Sequence, residues 1–479
     1  MSLPPEVEEL DPGEAASPPG GRKGGAGWRH RDLTQGSLVT ALLVLALPLI
    51  ASGVLGGAIF QLFDLTFVSR LGEQAIAAVV ITNQTVRQVS LMIVMGASFA
   101  TQSLISRAIG SDDIERAEHV AGQSISLGIG LALTVAVVGG GFPETLFSLA
   151  GPDPSFYATG VPYLRLVFLL HFGVIGTMLF AAILGGAGDT TTPLLVQTVQ
   201  FTVAIAAEWI LIFGNLGAPS FGIRGAALGL ACGQVVAMGL GAAVLFRGHA
   251  RVHLRRRHLV PDLPVMGEIL RIAAPSALQM IGGVAMTFVF MRLAGTFGEQ
   301  VQTAYAIGLR LGMVVPMVCF PMATACATLV GQAIGAGDVR RAWRAIGVGV
   351  AVHATIMWGF AAAMFWFRAE ILGFFSDDPE VIRIGSEYLV YSAGGFLFLA
   401  FYFVFFRSLQ GAGDFVVPMA ITLTNTLLVT IPLGTFLVRA TSLGPSGIWT
   451  AQLVGAVVAT TATGIWLATG RWTRRAAHS

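Results

Sequence analysis

"LGGAGDTTTP", residues 184–193, is written a second time with substitutions as "LQGAGDFVVP", residues 409–418. Asp189 and Asp414 stand 225 positions apart, and so do Pro193 and Pro418. The same offset carries Tyr163-Leu164 onto Tyr388-Leu389 and Asp153-Pro154 onto Asp378-Pro379. It also carries "RAIGSDDIERA" (107–117) onto "QAIGAGDVRRA" (332–342). Gapless agreement over that much chain marks a duplication. The Gly-Ala-Gly-Asp phrase lacks the Lys and the strand–helix setting of a phosphate-binding loop. It reads as a tight turn, with the Asp capping the next helix and the Pro in that helix's first turn.

What is duplicated follows from composition. Of 479 residues 54% are hydrophobic and 11% charged, whereas soluble domains carry about 25% charged residues. Apolar segments long enough to cross a bilayer lie near 38–63, 75–100, 118–140, 158–184, 193–213, 221–246, 266–292, 302–330, 341–366, 384–408, 417–438 and 446–468. The expected fold class is therefore an all-α integral membrane protein of about twelve transmembrane helices, in two pseudo-symmetric six-helix lobes. The expected division is a disordered tail 1–36, lobes at 37–246 and 265–470, a basic linker 247–264 and a tail 471–479. An even span count puts both termini on one face. Arg22, Lys23, Arg29 and Arg31, "RGHARVHLRRRH" (247–258), "GDVRRAWR" (337–344) and "RWTRR" (471–475) all fall there, which the positive-inside rule makes the cytoplasm of a plasma (inner) membrane. The first 30 residues, rich in Pro, Gly, Glu and Ser, lack the apolar core of a secretory signal. Cys232, Cys319 and Cys326 sit inside apolar segments as small hydrophobes, with no disulfide framework, metal site or cofactor expected. The linker reads as a contact for anionic lipid rather than nucleic acid.

Parallel six-span repeats are typical of secondary transporters, whose sites lie between or within the halves. Two carboxylates interrupt the apolar spans, Asp64 and Glu208, and an ionised acid in a bilayer costs roughly 2.5 kcal/mol or more. At the offset, Glu208 meets Leu433, and Asp64 meets Phe290 after one residue of slip. Scaffold needs alone would be symmetric, so the asymmetry points to proton or cation coupling in the first lobe. The plainer alternative makes Asp64 a cap at the outer interface and lets Glu208 snorkel beside Trp209. Further polar residues that could line a cavity are Asn83, Arg87, His171, Gln197 and Gln200, and in the second half Gln279, Arg292, Tyr305, Arg310 and His353. Pro48, Pro275, Pro316 and Pro321 interrupt backbone hydrogen bonding and are candidate bending points.

Over residues 36–470 the chain resembles the multidrug and toxic compound extrusion (MATE) transporters. The resemblance rests on "LALPLIASGVLGGAIFQLFDLTFVSRLG" (45–72), on "LISRAIGSDDIERA" with "LVGQAIGAGDVRRA", on the paired Gly-Asp…Pro phrases and on "FGIRGAALG" (221–229). It implies two lobes around a V-shaped cavity and export of cationic or amphipathic organic compounds in exchange for H⁺ or Na⁺. Asp64 matches the family's acid in helix one, and Glu208 falls where the DinF-like branch carries an Asp in helix five. Ala204 replaces an Asn of that pattern, Gly229-Leu230 replaces an Ala-Thr, and Gly283 stands where other branches place a Glu in helix seven. A hard cation wants several oxygen ligands, so these departures favour H⁺ over Na⁺.

The expected function is a proton-coupled antiporter exporting small amphipathic or cationic compounds by alternating access. Two alternatives are a flippase for lipid-linked precursors, which Arg87, Arg292 and Arg310 would suit, and a non-transporting membrane sensor or scaffold. An enzyme is not expected, since no nucleophile–base pair, metal cluster or cofactor loop stands out.

Overall fold

A computed structural model describes residues 36–83, 87–149, 156–248 and 251–476. The expected N-terminal tail apart from residue 36, the Asp153-Pro154 copy, the side chain of Pro316 and residues 477–479 lie outside them. The apolar segments form helices α1 (Leu38–Ser69), α2 (Glu73–Ile81), α3 (Arg87–Gly110), α4 (Ile114–Gly141), α5 (Tyr157–Leu169), α6 (Phe172–Gly186), α7 (Thr191–Phe213) and α8 (Ile223–Phe246) in the first lobe. The second lobe holds α9 (Leu263–Gly295), α10 (Glu299–Gly335), α11 (Val339–Trp366), α12 (Pro379–Gly411), α13 (Val416–Ala440) and α14 (Ser446–Ala468). Eleven of these are long and apolar enough to span a membrane, and the bent pair α5–α6 makes a twelfth.

Duplication reaches the helix ends. Moved 225 positions, the bounds of α4 become those of α11, the start of α1 becomes that of α9, and the last residues of α3 and α6 become those of α10 and α12. The repeated turn is built as its composition requires. Gly188 and Gly413 take φ values of 89° and 95°, which the missing Cβ allows. Asp189 accepts from Thr192 N at 2.9 Å, and Asp414 from Val417 N at 3.3 Å. Asp113 and Asp338 cap α4 and α11 in the same way.

The copies differ in backbone. In the first lobe the fourth span breaks at Leu170–His171 with a 41° bend between α5 and α6, whereas α12 runs unbroken through Phe396, the matching position. α1 contains a π-helical turn at Leu55–Phe60, and α13 contains one at Asn425–Thr430, which is not its counterpart. Pro48, Pro275, Pro316 and Pro321 all lie inside continuous helices.

The linker is a packed strap. Val252 and Leu254 are buried, and His253 N donates to Glu118 Oε1 at 3.0 Å. Gln123 Nε2 donates to the carbonyls of His258 and Val260, and Gln123 Oε1 accepts from Asp262 N. A hydrogen bond from His119 holds the Asp262 carboxyl below its usual range. Burial holds the His258 imidazole down. The expected C-terminal tail begins as a short helix, Arg471–Ala476, whose buried Trp472 donates to Leu467 O at 2.9 Å.

Candidate functional site: a carboxyl pair between α1 and α7

On α7, Thr192, Val196, Gln200, Ala204, Glu208 and Ile212 are buried at a spacing of four, which sets them on a ridge winding slowly around a 3.6-residue helix, with Gln200, Ala204 and Glu208 on one face. That face meets α8 through small residues. A Cβ added at Gly229 would come within 2.5 Å of Glu208 N and Cγ, and one at Gly225 within 2.6 Å of the Leu211 carbonyl. The two backbones touch only because those side chains are absent. Glu208 is thereby shut in at 0% exposure, and among the described residues neither of its carboxyl oxygens has a hydrogen-bond partner.

α1 closes the other side. Phe60 packs on Phe201 with ring centroids 5.1 Å apart, and Phe67 packs edge-on to Phe213 at 5.9 Å. Asp64 lies between the first members of these pairs and Glu208 between the second, so two aromatic contacts bracket the carboxyl pair. Asp64 acts electrostatically on Glu208 and on Arg87, and Tyr163 feels all three. Arg87 donates to Asn83 Oδ1 at 2.7 Å. His171, buried at the break between α5 and α6, lies 2.9 Å from Ser90 Oγ and stacks on Phe168.

Five of the candidates, Asp64, Glu208, Arg87, Asn83 and His171, thus gather in the first lobe. Gln200 shares the Glu208 face two turns nearer the linker end, with Oε1 unpartnered among the described residues, while Gln197 is half-buried off it. The second-lobe candidates do not gather. Gln279 donates to Thr422 Oγ1 at 2.8 Å and faces the Tyr402 hydroxyl. Tyr305 is a core residue that accepts from Gln452 at 2.8 Å and packs on Trp449 and Tyr388. His353, fully buried, donates from Nδ1 to Ala400 O at 2.8 Å. Arg292 is exposed in the last turn of α9, where the helix dipole favours a cation. Arg310 is exposed on α10, two turns before Met317, whose Cε would lie 2.6 Å from a Cβ at Gly57 of α1.

Two groups escape a reading of the sequence. Tyr163 is visible there only as a marker of the repeat. Arg407 stands at the very edge of its apolar segment yet is buried at the seam between lobes. It donates to Gln102 Oε1 of α3 at 2.9 Å and to Gln410, with its guanidinium 4.0 Å from the Phe99 ring centroid. Around it, Gln102 donates to Thr328 at 3.0 Å, Ser103 to Gln410 O at 2.7 Å and Gln332 to Gly186 O at 3.2 Å. Among the described residues, every hydrogen bond crossing between lobes lies at this end, the end that carries the linker.

Comparison with known proteins agrees with this architecture. A probable multidrug resistance protein NorM of Thermotoga maritima is 27% identical over 439 residues, covering 91% of this chain and 93% of that protein. Solved structures described as MATE in the bent and in the straight conformation share the fold with TM-scores of 0.85 and 0.80. Each is 23% identical and covers 93% of this chain and 98% of the other. Residues 48–210 and 275–436, one block in each lobe, match the MatE family. The protein belongs to that family, and is a membrane transporter rather than an enzyme.

Proposed function

We propose that this transporter exports small amphipathic or cationic organic compounds in exchange for protons, and that Asp64 and Glu208 carry the exchanged proton. The observation behind this reading is Glu208, enclosed by α8 and α1, with no partner for either oxygen among the described residues. An ionised carboxylate there is costly, so a proton is the simplest occupant. It leaves when water or a substrate cation takes its place in the field of Asp64. Sodium suits the pocket less, because Ala204, one turn before Glu208 on the same face, offers a methyl where a hard cation wants oxygen.

The π-helical turn of α1 connects this site to the opposite lobe. A Cβ at Gly56 would lie 2.8 Å from the Phe201 ring, while Gly57 backs onto Met317 of α10. π-Turns concentrate at functional sites. A change of charge at Asp64 is passed along this helix to the lobe interface, and the linker end opens and closes in response. With both termini and the basic linker in the cytoplasm of the plasma membrane, the hydrogen-bonded seam holds the lobes together on the cytoplasmic side. The energetic requirement is that the proton bind the two states with different affinity.

Proteoliposomes under an imposed pH gradient test the reading. Efflux should follow the pH gradient, ignore a Na⁺ gradient and fail in both Asp64→Asn and Glu208→Gln. Gradient-driven efflux by either variant at the wild-type rate would refute it.

A further inference from the structure

Away from the acids, a crevice of about 260 Å³ opens between α3, α4 and α6 of the first lobe and α9 of the second. Ala97, Leu127, Leu131, Leu179, Met266 and Leu270 give it an apolar wall. The wall's hydroxyls are already used. Thr101 donates to Ala97 O and contacts Ser124, Ser124 donates to Val120 O, and Thr134 donates to Gly130 O. Between Ser124 and Thr134 the crevice runs about 15 Å along α4 at 1.5 Å per residue. It is a slot for a hydrocarbon chain.

It opens sideways, where Leu270 and Gly130 are exposed, while Thr101 and Ser124 close it at the linker end. Ser126 Oγ donates to Leu259 O at 2.8 Å, so the strap crosses α4 beside the first lining residues. Arg255, Arg256 and Arg257 of the strap are exposed, and so is Arg271, next to Leu270. The nearby acids are already answered. Glu115 pairs with Arg257, Glu118 accepts from His253 N, Asp262 binds His119 and Glu268 pairs with Arg116. Among the described residues Arg255, Arg256 and Arg271 form no ion pair with a carboxylate. Surplus positive charge therefore lies on the linker side of an apolar slot, in a segment that faces lipid headgroups once the helices span a bilayer. Basic pockets between transmembrane helices on the cytoplasmic side suit anionic headgroups.

We propose that this crevice binds an anionic phospholipid of the adjoining leaflet, one acyl chain lying between α4 and α9 and the phosphate on Arg255, Arg256 and Arg271. Because its walls come from both lobes, the bound lipid touches the two bodies at once. The proposal does not depend on which ion drives transport.

The test uses the full chain in phosphatidylcholine nanodiscs with a trace of phosphatidylglycerol bearing a photoreactive acyl chain. Crosslinks should concentrate in residues 124–134 and 266–273. Unlabelled phosphatidylglycerol should compete, and phosphatidylcholine and glycerol 3-phosphate should not. The triple variant Arg255→Gln, Arg256→Gln, Arg271→Gln should cut labelling several-fold. Gly130→Phe should cut it too, since a Cβ at Gly130 meets nothing within 4 Å and the ring can fill the slot. Equal labelling of residues 446–468, or equal competition by phosphatidylcholine, would overturn the proposal whatever the variants do.

Discussion

In the first lobe α7 holds Glu208 at 0% exposure against α8, with Asp64 facing it from α1. At the same place in the second lobe α13 carries Leu433, half-buried against the apolar core. The first lobe breaks its fourth span at His171, and the second runs α12 straight through Phe396. Inside the second lobe Gln279, Thr422 and Tyr402 bond one another and Tyr305 takes a bond from Gln452. Its buried arginine, Arg407, sits at the seam. One scaffold, used twice, thus carries a buried carboxyl with no hydrogen-bond partner among the described residues in one copy and an apolar side chain at the matching place in the other. A buried carboxyl left unpartnered costs stability, and among the described residues such an acid occurs in the first copy alone, which separates what the fold needs from what transport needs.

The largest effect that follows is on coupling. Asp64→Asn and Glu208→Gln should each lower pH-gradient-driven efflux about tenfold or more, while Leu433→Met, the second-lobe control, should leave it near wild type. Comparable losses in the control would dissolve the distinction between lobes.

At the seam the expected effect is several-fold. Arg407→Met removes the guanidinium that bonds Gln102 across the seam and leaves Gln102 Oε1 and Gln410 Oε1 without it, a loss of about 1–3 kcal/mol. It should lower the melting temperature and loosen the linker end. Spin-label distances across that end provide the check: a wider distribution is expected in the variant, and an unchanged one would contradict this role of Arg407.

A smaller comparison pairs two glycines. Gly229→Ala pushes α8 off Glu208, and Gly455→Ala presses on Thr430 of α13. Both should cost stability by about 1–3 kcal/mol, read in thermal unfolding. The midpoint of the pH profile of efflux should move in Gly229→Ala alone. Smallest of all, Gln279→Ala leaves Tyr402 and Thr422 bonded to each other, so a loss of about 1 kcal/mol is expected with the pH profile of efflux unchanged.

The helices were readable because each span is uniformly apolar and the 225-residue offset supplies an independent copy to check it. The turns at Asp189 and Asp414 were readable because glycine and a capping Asp determine such local geometry. The pairing of Asp64 with Glu208 was suggested by asymmetry between copies and by nothing local. Less was legible where a group's partners are remote in sequence. Arg407 bonds Gln102 in the other lobe, and the strap is held by Gln123 of α4, far from it in sequence. Nor did Pro48, Pro275, Pro316 and Pro321 mark the irregular backbone. The 41° bend falls at Leu170–His171 and the π-turn at Leu55–Phe60, beside Gly56 and Gly57, where neighbouring helices approach too closely for a side chain.

Proton release on substrate addition, recorded with a pH indicator in weakly buffered detergent solution, tests the central claim most directly. Wild-type protein should release protons as substrate binds, and Asp64→Asn with Glu208→Gln should release none while still binding substrate. Undiminished release from the double variant would place the coupling proton elsewhere and leave the carboxyl pair a structural feature of the first lobe.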